Sequence, residues 1–110
     1  MNRSARPLLA FVVVAASVLV PIAPAHAACT TQLNSAPAGH TNSCSTYSHG
    51  WAVVGVTGVT NYSVSCGNGT YSRSGTIGTS AAQGSFPAGG CFATMTLRAV
   101  TSGTTAIGYM

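Results

Sequence analysis

The sequence predicts an all-β fold: a small antiparallel β-sandwich or barrel-like domain with two disulfides, formed after a cleaved signal peptide. Three observations carry this reading. Residues 91–100 alternate, with Cys91, Ala93, Met95, Leu97 and Ala99 on one face and Phe92, Thr94, Thr96, Arg98 and Val100 on the other. That is the period-two pattern of a half-buried strand. No window repeats apolar residues at helical spacing, and 13 glycines oppose long helices. Four cysteines in a 110-residue chain form the framework of a small exported domain.

Residues 1–27 read as a secretory signal peptide. Arg3 and Arg6 make the positive start, residues 8–20 are apolar apart from Ser17, and Ala25-His26-Ala27 is a small-x-small cleavage site. The apolar stretch is short of the roughly 20 residues that span a bilayer. Residues 28–110 are then a single small disulfide-stabilised β domain, with no transmembrane anchor after cleavage. The short Ala/Pro-rich leader end and the Ala/Gly/Thr-rich body look bacterial, which sets aside the glycosylation patterns at Asn61 and Asn68.

Within that domain, residues 28–50 are polar and turn-rich and are expected to be irregular or to form short edge strands. Residues 51–57 are apolar and β-branched and read as a strand. Residues 61–66 alternate, with Tyr62, Val64 and Cys66 on one face. Gly67-Asn68-Gly69 follows and predicts a hairpin with a type I′ turn, which requires positive φ at Asn68 and Gly69. Residues 70–79 are the returning edge strand, residues 80–90 a Gly/Pro-rich loop, residues 91–100 the best-patterned strand, and residues 104–110 a closing strand.

Cys29, Cys44, Cys66 and Cys91 allow three connectivities. Cys29–Cys44 with Cys66–Cys91 is favoured, because sequential pairing closes the shortest loops. A zinc site from Cys29, His40, Cys44 and His49 is not favoured, since no close Cys pair is present. No metal and no cofactor is expected.

The chain has no aspartate and no glutamate. This excludes paired-acid glycoside hydrolysis, a Ser-His-Asp triad and an oxygen-cage calcium site. His40, His49 and Arg73 are the residues left for acid-base work, and nothing in their spacing groups them; no catalytic residues are assigned and the protein is read as a non-enzyme. Only Arg73 and Arg98 remain after the leader, too few for a nucleic-acid patch. Tyr47, His49 and Trp51 lie at i, i+2 and i+4 and form a possible binding face if that segment is one strand. Thr94 and Thr96, with Thr57 and Thr60, offer the beginnings of a hydroxyl array.

The order Cys29, Cys44, Cys66, Cys91 in a small β domain is similar to that of the actinobacterial proteinaceous α-amylase inhibitors. The resemblance implies a small antiparallel sandwich with two sequential disulfides. Those inhibitors carry a Trp-Arg-Tyr turn between their first two cysteines; residues 30–43 here contain none of the three, so no inhibitory residue carries over.

The expected function is a secreted, extracellular binding or interaction module, its partner an extracellular protein, a polysaccharide or an envelope component. The alternatives are an antagonistic or antimicrobial protein acting on cell envelopes, and an enzyme inhibitor. Acid unfolding ordinarily proceeds by protonating stabilised carboxylates and charging buried histidines. With no side-chain carboxylate, no stability is lost by the first route, and the response that remains is expected from His40 and His49. Far- and near-UV circular dichroism should therefore stay constant from about pH 5 to about pH 2; a clear loss of signal in that window would contradict it.

Overall fold

The computed structural model describes residues 28–110, so the leader expected over residues 1–27 lies outside the described residues. Eight strands follow in order: β1 (Thr30–Ala36), β2 (Thr41–Ser48), β3 (Gly50–Thr57), β4 (Thr60–Cys66), β5 (Ser72–Ile77), β6 (Ala81–Ser85), β7 (Cys91–Ala99) and β8 (Thr104–Tyr109). They form two four-stranded sheets, ordered β1-β8-β3-β6 and β2-β7-β4-β5, and every described pairing is antiparallel. The chain changes sheet at every connection except β4–β5. Two four-stranded sheets wound in this order are the double-sheet jelly roll.

The alternation expected for residues 91–100 is realised residue by residue. Cys91, Ala93, Met95, Leu97 and Ala99 are buried, whereas Phe92, Thr94 and Arg98 are exposed and Thr96 is half-buried. β7 lies between β2 and β4, so both of its backbone edges are paired. Its inner side chains pack with Leu33, Val53 and Val64 to form the centre of the core.

Both favoured disulfides form, Cys29–Cys44 and Cys66–Cys91. The first joins the start of β1 to the middle of β2, tying the two sheets together at one open edge. The second joins the end of β4 to the start of β7 inside one sheet. With partners 15 and 25 positions apart in sequence, each bridge contributes roughly 3 kcal/mol in the chain-entropy description.

Three expectations need correction or sharpening. Of the two readings of residues 28–50, edge strands and not an irregular segment form, and at seven and eight residues they are not short. Both lie at sheet edges; along β2 the inward positions are only partly covered and hold Asn42, Thr46 and Ser48 beside Cys44, so composition signals the strand weakly. Residues 80–90 are not all loop, because Ala81–Ser85 pairs with β3. Trp51 is the register partner of Gly84, and its indole lies against that glycine, where an added Cβ would sit 2.6 Å from Nε1. The ring thus fills the side-chain space that Gly84 leaves. Finally, the β4–β5 hairpin exists, but its turn is not type I′. Gly69 has φ 77° and Asn68 is not among the positive-φ residues; the Gly69 N–H donates to Cys66 O, and Asn68 Oδ1 instead accepts from the backbone N–H and hydroxyl of Thr70.

The β5-to-β6 crossover passes close over β3. A Cβ on Gly55 would lie 1.8 Å from Gly78 O, so only glycine fits there. Thr60 is fully buried, and its hydroxyl has no hydrogen-bond partner among the described residues. An unsatisfied buried hydroxyl costs about 1–3 kcal/mol. Thr60→Val keeps the shape and removes the hydroxyl, so it should raise stability to urea by about 1 kcal/mol; a loss of that size would show that the hydroxyl is satisfied.

Candidate binding face

The outer surface of the sheet β2-β7-β4-β5 follows from its register. Three rows run across the four strands: Thr41, Arg98, Asn61 and Thr76; then Ser43, Thr96, Ser63 and Ser74; then Ser45, Thr94, Ser65 and Ser72. Ten of these twelve positions are serine or threonine, which makes the surface an almost uninterrupted grid of hydroxyls. Sheet geometry spaces the grid at about 4.8 Å between strands and about 6.7 Å between rows.

Within the rows, the Ser45 and Thr94 hydroxyls lie 2.7 Å apart, and Thr76 donates to Asn61 Oδ1 at 2.5 Å. The middle row, Ser43 to Ser74, makes no side-chain hydrogen bond among the described residues. Each hydroxyl there offers one donor and two acceptor lone pairs to whatever meets the face. Arg98 is the single charge on the grid, at its first row.

A fourth row changes the chemistry. Tyr47 and Phe92 are register partners on β2 and β7, 55% and 60% exposed. The Tyr47 hydroxyl donates to Gly89 O, and the Tyr47 ring meets His49 edge-on at 5.7 Å. This aromatic ledge continues directly from the third hydroxyl row. The opposite outer surface, on β1-β8-β3-β6, is different: Val54, Val56, Ile107 and Tyr109 are half-buried there and no serine or threonine grid forms.

The structure separates the three residues expected to share a face. β2 ends at Ser48, the chain bends at His49, and β3 begins in the other sheet. Tyr47 and His49 stay exposed and adjacent. Trp51 turns into the core at 7% exposure, packs on Tyr62 at 5.5 Å and donates from Nε1 to Tyr71 Oη at 3.0 Å. Arg73 lies over the Tyr71 ring, 4.5 Å from its centroid. Of the residues considered for a hydroxyl array, Thr94 and Thr96 are on the grid, Thr60 is buried and Thr57 ends β3 in the other sheet. Phe92 was not singled out by sequence reasoning; its partnership with Tyr47 exists only once β2 and β7 are paired.

His40 and His49 flank β2 at its two ends, about 30 Å apart for an extended strand, so they do not form an acid-base pair. All four cysteine sulfurs are in disulfides, and no cluster of three metal-binding side chains occurs among the described residues. A shallow hollow of ≈ 280 Å³ lies beside Trp51, Gln83 and Tyr109, slightly below the usual size of a small-molecule site, about 300–1,000 Å³. No family model, curated protein or solved structure matches the chain.

Burial separates the roles of the aromatics. Trp51→Ala should destabilise the domain by about 3–5 kcal/mol, whereas Phe92→Ala should change stability by less than about 0.5 kcal/mol. Urea unfolding of both variants checks this, and a large loss with Phe92→Ala would place that ring in the core.

Proposed function

We propose that the protein is a secreted, non-enzymatic binding module that meets its ligand through the outer face of β2-β7-β4-β5. The observation that carries this is the exposed Tyr47–Phe92 pair on a sheet held by both disulfides. Tyr47 and Phe92 are cross-strand partners that both stay exposed, and exposed apolar patches and aromatic side chains mark binding surfaces. Cys44, Cys66 and Cys91 lie on the three strands that form most of the face. Their cross-links reduce the ordering required on binding. Export is supported by the leader pattern over residues 1–27 and by disulfides, which persist in oxidising compartments.

The test is capture from culture fluid and cell-wall material by the immobilised, oxidised protein. Wild type should retain a ligand. A Tyr47→Ala/Phe92→Ala double variant should lose it, and Ile107→Ser, on the other sheet, should keep it. Equal capture by the double variant would overturn the assignment of the face.

A further inference from the structure

We infer that the ligand of this face is a neutral polysaccharide chain lying along β7, stacked on Phe92 and hydrogen-bonded to the hydroxyl rows beyond it. This rests on the face being the binding surface, and adds what binds there.

The face has two chemistries in series. At one end is an apolar ring pair; next to it are rows of neutral groups that both donate and accept. A sugar ring has the same division, with C–H bonds on its faces and hydroxyls around its rim. A polymer of such rings repeats that division along its length, as the grid repeats along the strand. Only the direction of β7 carries a ligand from the ledge at Phe92 through Thr94 and Thr96 to Arg98, a span of about 20 Å.

Charge excludes the other polymer classes. Nucleic acids and anionic polysaccharides are held by several cations that displace counterions, and this face has Arg98 alone. A cationic partner needs carboxylates, and the chain has no acidic side chain. A membrane surface calls for a basic amphipathic element, which the grid does not supply. A typical protein surface presents charges of both signs, and most of the twelve grid positions would leave them unpaired.

The experiment is co-sedimentation of the oxidised protein with insoluble cellulose, chitin and starch, with heparin-agarose as the anionic control. Retention on at least one neutral polymer is expected, little changed by about 1 M salt, which screens ionic contacts. Phe92→Ala and Thr96→Val should each weaken retention by about tenfold while melting like wild type. Soluble oligosaccharides of the retained polymer should bind more tightly with length until they span about 20 Å. Absence of retention on all three polymers would overturn the inference, as would retention unchanged in Phe92→Ala, or binding to heparin that salt removes. If the capture experiment above yields a protein in a Phe92-dependent way, the binding-module reading stands and this inference fails. If neither experiment detects a ligand dependent on the face, both fail.

Discussion

The structure depends on the two-residue period of β7. Its inner side chains, Met95 and Leu97 among them, are fully buried between the sheets, and its outer side chains build the middle of the candidate face. A slip of one residue against β2 and β4 would exchange the two sets. Arg98 would enter the core with no carboxylate available to receive it, and Met95 and Leu97 would face water. In many domains charge patterns help to reject such errors. Here, without acidic side chains, that task falls to side-chain shape, backbone pairing and two cross-links. The Cys66–Cys91 bridge matters most in this respect, because it links the two central strands of the sheet that carries the face.

The same register explains why the two outer surfaces differ. β3 is apolar along most of its length, so Trp51 and Val53 fill the core while Val54 and Val56 remain half-buried outside. In the other sheet β7 alternates cleanly and β4 along most of its length, and the outer positions of all four strands are mostly serine and threonine. Neutral hydroxyls keep that surface hydrated without fixing a charge on it, so it neither attracts nor repels a charged partner strongly. Arg98 and Asn61 in the first row, and the exposed aromatic pair at the far edge, are the departures from this pattern.

Much of the fold was legible from the chain. β7 and β4 show their alternation directly, and the disulfide pairing that forms is the one favoured among three by loop length. β1 and β2 were harder, because both of their sides carry mostly small or polar residues and so resemble loops in composition. β6 was hidden by Gly84 and its small neighbours, since what holds it is register with β3 and the Trp51 ring. The candidate site was only half legible. Tyr47 and His49 are neighbours at the surface as expected, but the bend at His49 sends Trp51 into the opposite sheet, and no local pattern announces that. Phe92 gains its meaning from Tyr47 across the strand pair, forty-five residues earlier in sequence. Serines and threonines scattered over four strands become a grid only when the register aligns them.

Register converts an ordinary polar alternation into one continuous face of hydroxyls, the proposed binding surface. The most direct measurement of that proposal is a residue-resolved NMR titration of the oxidised protein with a neutral oligosaccharide long enough to cover the face. Backbone and side-chain shifts should alternate along β7, large at Phe92, Thr94 and Thr96 and small at Ala93, Met95 and Leu97, with matching shifts at Tyr47, Ser45 and Ser63. Shifts centred on Val54 and Ile107 of the other sheet, or no shifts at saturating ligand, would contradict it.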